Sequence, residues 1–223
     1  MTSESQKSTE PWVEEHKVAF PYAYDKSAKL MGRFAQGLPS AILIDPSGTV
    51  VYRGHPNRLD NATVEAALGG ALKTPLWKWP DSADAARKAF AKRQFAKALD
   101  KAPDEDVASA IREVIKGSLA RLSALHQEGD YLAATEMASD LTKEFSGLPE
   151  SDTAKEVLEK IKDDEQAQKI LKAQQKIAKM RAGRIKKGKI PRMIDELEEI
   201  AKELPGTAAA RDANAFIGEL RES

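Results

Sequence analysis

The chain has 223 residues, with 35 Lys and Arg against 35 Asp and Glu, 31% charged side chains and 41% hydrophobic ones. Zero net charge excludes whole-molecule steering toward nucleic acid, acidic substrates or membranes, so any electrostatic function is regional. The absence of cysteine excludes disulfides, thiolate metal sites and cysteine nucleophiles, and at about 100–200 residues per domain the length suits two domains better than one.

From Met1 to Pro11 there is neither an apolar h-region nor a small-residue cleavage site. The longest apolar stretches, such as Ala41 to Ile44, fall far short of the roughly 20 residues of a membrane span. No membrane span is expected, and the chain as given reads as cytoplasmic. A helix is predicted over Ser27 to Phe34. Ser40-Ala-Ile-Leu-Ile-Asp45, the turn Pro46-Ser-Gly48 and Thr49-Val-Val-Tyr-Arg53 then predict two strands joined by a tight connection. Asn61 to Leu72 predicts a second helix, with Asn61 as its N-cap and Val64, Ala67 and Leu68 on one face. The order is α-β-β-α. In Lys73-Thr-Pro-Leu-Trp-Lys-Trp-Pro80 two prolines bracket Trp77 and Trp79, so residues 73–80 read as a linker whose tryptophans pack between domains.

After Pro80 the pattern is helical throughout. Val107, Ile111, Val114, Ser118, Leu122 and Leu125 recur at spacings of three or four behind the acidic first turn Pro103-Asp-Glu-Asp106. The sequence also repeats itself weakly. Gly129-Asp-Tyr131 opens a helix ending at Phe145-Ser-Gly147, and Gly188-Lys-Ile190 opens one ending at Leu204-Pro-Gly206, at an offset of 59. The helices that follow, Thr153 to Ile161 and Ala209 to Ile217, align at an offset of 56. Each unit is therefore a helical hairpin that needs a neighbour to bury its apolar face. Met193, Ile194, Leu197, Ala201 and Leu204 form one expected stripe, and Ala210, Ala213, Ile217 and Leu220 another. A long helix from about Asp164 to Arg184 interrupts the repeat.

Gly-Asp-Tyr-x-x-Ala and Pro-Gly-Thr-x-x-Ala in these hairpins resemble tetratricopeptide repeats, over roughly Ser82 to Leu220. In the first part, Phe20-Pro-Tyr-Ala-Tyr-Asp25, Gly37-Leu-Pro39-Ser, Ala41-Ile-Leu-Ile-Asp45-Pro-Ser-Gly48 and Val50-Val-Tyr-Arg-Gly54 resemble the second half of thioredoxin-like redoxin domains of the TlpA and AhpC/TSA type. That resemblance covers about Glu4 to Leu72. It implies a cis Leu38-Pro39 bond beside the site where that family binds peptides, and a closing helix on the sheet. The family's Cys-x-x-Cys would lie on an earlier strand-to-helix connection, before the matched region. The fold class expected is α/β plus all-α: an incomplete thioredoxin-like domain over residues 1–72, the linker, and a TPR-like α-helical hairpin domain over residues 81–223.

Other chemistry is thinly represented. His16, His55 and His126 are isolated, with no recognisable metal-ligand spacing, so they read as solvated side chains and no metal or other cofactor is expected. Asp25 and Asp45 could form an acid–base pair, but both sit beside turn residues, where Asp commonly bonds local backbone. Gly69-Gly70 ends a helix and lacks the Lys-Ser/Thr of a phosphate loop. Between Gln166 and Ile194 the sequence carries ten cations and no acid, including Lys179, Arg181, Arg184, Lys186, Lys187 and Lys189. Such a run is a possible anion-binding face, or a positive helix packed against acidic neighbours. It holds no aromatic residue for base stacking, which argues against nucleic acid.

The functional expectation is a cysteine-free redoxin-type module acting as a protein-binding or scaffold part, with no catalysis of its own. Its protein partner is unidentified, and self-association through an open sheet edge is expected. The competing reading is a fragment of a thiol-disulfide oxidoreductase whose Cys-x-x-Cys lies upstream of Met1, in which case the natural protein would be exported. A third reading is anion or nucleic-acid binding by the basic helix.

Overall fold

A computed structural model of the chain describes residues 4–17, 25, 39–46, 50–69, 71–183 and 187–221. The chain divides into two compact units, Met1–Ala71 and Leu72–Ser223. The first carries a small antiparallel sheet with helices, and the second is helical.

In the first unit, helix α1 spans Gln6–Glu15, a segment to which the sequence pattern assigned no helix. Ser5 starts it, its hydroxyl accepting the Ser8 amide at 3.2 Å, and this local cap offsets part of the cost of Pro11 inside the helix. Strands β1, Ala41–Ile44, and β2, Val50–Gly54, pair antiparallel as predicted. Ala41 faces Gly54, Ile42 faces Arg53 and Leu43 faces Tyr52, after which the register slips so that Ile44 faces Val50. The slip is a bulge, which bends and twists a ribbon locally. Ile44, Val50 and Val51 remain exposed on these strands.

Helix α2, Asn61–Ala67, packs on both strands. Its N-cap is Asp60, one residue before the expected Asn61. The Asp60 carboxylate accepts the Thr63 amide at 2.6 Å, and that bond holds its carboxyl below the usual carboxylate range. The helix also stops short of the expected Leu72, closing on Leu68 ahead of Gly69. The helix read over Ser27 to Phe34 and the Leu38–Pro39 peptide lie outside the described residues. Pro39 itself is exposed just before β1.

Residues 73–80, read as a linker, fall within the helical unit. Leu72 and Leu76 pack against that unit's core, and Trp79 is 5% exposed within it. The expectation that both tryptophans pack between domains is corrected for Trp79, which lies in the core of the helical unit. Trp79 is a core residue of its own unit, whereas Trp77 is 65% exposed. The reason lies in the one-turn 3-10 helix Leu76–Lys78, which turns Trp79 inward, where its indole N–H donates to the Thr74 carbonyl at 3.3 Å.

Helices α3 (Asp84–Ala91), α4 (Phe95–Asp100), α5 (Glu105–Gln127), α6 (Tyr131–Glu144) and α7 (Glu150–Asp163) follow, each packed on the next. Helices α8 (Glu165–Ala182), α9 (Ile190–Glu203) and α10 (Ala208–Arg221) complete the unit. All six positions of the predicted α5 stripe are buried. Trp79, Phe90, Phe95 and Phe145 form a chain of edge-to-face rings with centroids 5.6, 5.4 and 5.3 Å apart, which ties α3, α4 and the end of α6 together. Between the rings the helices approach on alanine: Ala83, Ala86, Ala98, Ala134, Ala138 and Ala154 are fully buried. Small side chains permit that closeness, which accounts for how a core forms with so few aromatics.

A second core joins α8, α9 and α10 around Ile177, Leu197, Ile200, Phe216 and Ile217, and Tyr131 packs against both cores. Of the first expected C-terminal stripe, Leu197 is fully buried, while Met193, Ile194, Ala201 and Leu204 pack at its margin. All four residues of the second stripe are buried. The hairpins α6–α7 and α9–α10 correspond to the weak repeat, and α8 packs on α6, α7 and α10 between them.

Candidate functional site

Tertiary packing sorts the basic run into separate groups. Arg181, near the end of α8, pairs with Glu219 of α10 at 3.1 Å and stacks over the Phe216 ring at 4.7 Å. Lys176 pairs with Glu196 of α9 at 3.1 Å, and Arg192 donates to the other oxygen of the same carboxylate at 3.2 Å. The hydrogen bond from Lys176 is the main reason that the Glu196 carboxyl sits below its usual range. Arg181 and Lys176 thus link α8 to α10 and α9 by opposite charge, whereas the Arg192–Glu196 pair lies within α9. Lys179 and Lys189 make no ion pair with any carboxylate among the described residues. Arg184 and Lys186 lie outside the described residues, and Lys187 is placed by backbone alone, in a 3-10 turn.

The unpaired lysines meet at an open cleft of about 430 Å³ between the last turn of α8 and the first turn of α9. Among the described residues Lys179, Lys189 and Arg192 supply its cations, Glu196 its carboxylate, and Met180 and Met193 its apolar lining. Helix α9 begins at this cleft without a capping side chain on its N-cap, Lys189, so the positive end of its dipole adds to the field of the cations. Pro191 in the first turn has no N–H to satisfy, which suits a helix start.

A second polar cluster joins the two cores. Helix α5 closes on Gly129, at φ +74°, with the Gly129 and Asp130 amides bonded back to the His126 and Leu125 carbonyls. This is a Schellman closure, and it needs a residue that tolerates the left-handed region. Asp130 caps α6 at the Ala133 amide, and Gln174 of α8, 2% exposed, supplies the adjoining cap. The Gln174 Oε1 accepts the Leu132 amide at 3.0 Å, while its Nε2 donates to the Gly129 carbonyl at 3.2 Å and to Asp130 at 3.4 Å. Asp212 lies close enough for Asp130 to act on it. Burial first, and the Asp130 charge second, raise its carboxyl above the usual range, with Arg181 and Arg211 opposing. The cluster is an architectural joint that chain-local reasoning missed, because its cap comes from 42 residues away. A glutamine on the apolar face of a helix was the available signal.

The remaining candidates stay apart. His16 stacks on Trp12 at 4.3 Å, His55 accepts the Asn57 amide, and His126 meets Tyr131 edge to face. No group of three His, Cys, Asp or Glu that could hold a metal occurs among the described residues. Asp25 is buried and Asp45 half-buried, each with interactions of its own. Among the described residues no helix is long and apolar enough to cross a membrane. Comparison with known proteins finds no family model, no curated protein and no solved structure that matches the chain.

Proposed function

We propose that this chain is a binding or scaffold protein, built from a redoxin-type, thioredoxin-like remnant followed by a TPR-like helical stack that carries the partner-binding surface. The observation that carries this reading is the hairpin stack itself: α6–α7 and α9–α10 bury their apolar faces against α8 and leave long polar helix faces exposed. Stacked helical hairpins offer extended surfaces to protein ligands without needing a reactive group. The chain has no thiol to attack a disulfide or a peroxide, so a redoxin-type module here is suited to holding a polypeptide and not to oxidising or reducing it.

Two measurements test the proposal together. Insulin reduction and peroxide consumption by the purified chain are expected at background. A photo-crosslinking residue at exposed Lys155 on α7 is expected to capture a protein whose purified form then binds the chain stoichiometrically in solution. Turnover in either assay, or capture that never reconstitutes with purified components, overturns the scaffold reading.

A further inference from the structure

We propose that the cleft between the end of α8 and the start of α9 is a binding site for a phosphate monoester bearing an apolar substituent. Among the described residues the cleft is lined by three cations and one carboxylate, an excess of two positive charges, and that carboxylate, Glu196, is already engaged by Lys176 and Arg192. Lys179 from the last turn of α8 and Lys189 at the N-cap of α9 both line it, with no carboxylate among the described residues paired to either. A phosphate monoester is close to a dianion at neutral pH, whereas a phosphodiester carries one charge. Helix α9 starts at this cleft with no side-chain cap on Lys189, so the positive end of its dipole adds to the field of these cations.

The apolar part of the lining specifies the rest of the ligand. Met180 and Met193, one from each helix, are half-buried and give a polarizable surface that an organic group can cover. The volume falls within the range of small-ligand clefts, roughly 300–1,000 Å³. Among the described residues no aromatic side chain lines the cleft, so it offers no stacking platform for bases, and Arg181 and Lys176 are held by carboxylates.

The test uses the full chain labelled at its methionine methyl groups, with phenyl phosphate as the probe. The expected result is a saturable shift of the Met180 and Met193 resonances together. Phenyl sulfate, of similar shape with one charge, and inorganic phosphate, without the ring, should each bind about tenfold more weakly or worse. The double variant Lys179→Gln/Lys189→Gln should lose about tenfold in affinity with an unchanged thermal midpoint, because both side chains are exposed. Arg192→Gln should act in the same direction, and it serves if the double variant misfolds. Absence of saturation, equal binding of phenyl sulfate, or indifference to these substitutions overturns the proposal. Tighter binding of a single-stranded RNA oligonucleotide at the same methyl groups overturns it in favour of a polyanion surface.

Discussion

Replacing Gln174 probes the joint between the two helical cores. Its amide meets the Leu132 amide and the Gly129 carbonyl at 3.0 and 3.2 Å from a position that is 2% exposed. In Gln174→Leu the volume is nearly kept, but a donor and an acceptor lose their partner. An orphaned buried polar group costs about 1–3 kcal/mol. Leu132 and Gly129 are half-buried, so water reaches them in part, and the apolar surroundings favour leucine. The expected loss is about 2 kcal/mol. Gln174→Glu keeps the acceptor for Leu132 but sets a second carboxylate beside Asp130, which Gln174 contacts at 3.4 Å. That like charge, together with burial, raises the new carboxyl in the folded state, so its stability deficit appears as pH rises through the raised value and fades on acidification, when the protonated group can again donate to Gly129. Urea unfolding followed by far-ultraviolet circular dichroism, for both variants at about pH 5 and pH 7, reads these differences. The reasoning is refuted if Gln174→Leu stays within about 0.5 kcal/mol of the parent, the range of an ordinary surface change. It fails equally if Gln174→Glu shows the same deficit at both pH values.

Leu197 is fully buried in the second core, so Leu197→Ala should cost about 2–5 kcal/mol in the same unfolding measurement. Arg181→Ala removes both the Glu219 pair and the contact over Phe216, and should cost about 1 kcal/mol, whereas Lys179→Ala should stay within about 0.5 kcal/mol. Asp212 has a raised folded carboxyl, so its neutral form stabilises the fold, and that contribution is lost as pH rises above the ordinary carboxylate range. Asp212→Asn should therefore be more stable than the parent near neutrality and flatten the rise of unfolding sensitivity between about pH 4 and pH 7, as read from thermal midpoints.

Periodicity sufficed for the elements whose partners lie nearby in the chain. The two strands, the α5 stripe from Val107 to Leu125, and both C-terminal hairpins follow from apolar spacing and from glycines that close helices, because those effects act within one or two turns. The boundary near Leu72 was legible as a change of pattern, but the destination of Trp79 was not. Two tryptophans separated by one lysine look alike in sequence, and only the 3-10 turn and the waiting Phe90 ring distinguish the core residue from the exposed one. The same holds for charge. In the sequence the ten cations from Lys169 to Arg192 form a single basic run. Folding divides it, because a charge is defined by what lies within a few ångströms: Glu196 and Glu219 come from other helices to take Lys176 and Arg181, while Lys179 and Lys189 are left together at a cleft. Composition determined that the chain would be helical, alanine-packed and without thiol chemistry. Which of its cations bind helices and which face a cleft was decided by tertiary contacts across tens of residues, where no local spacing carries the information.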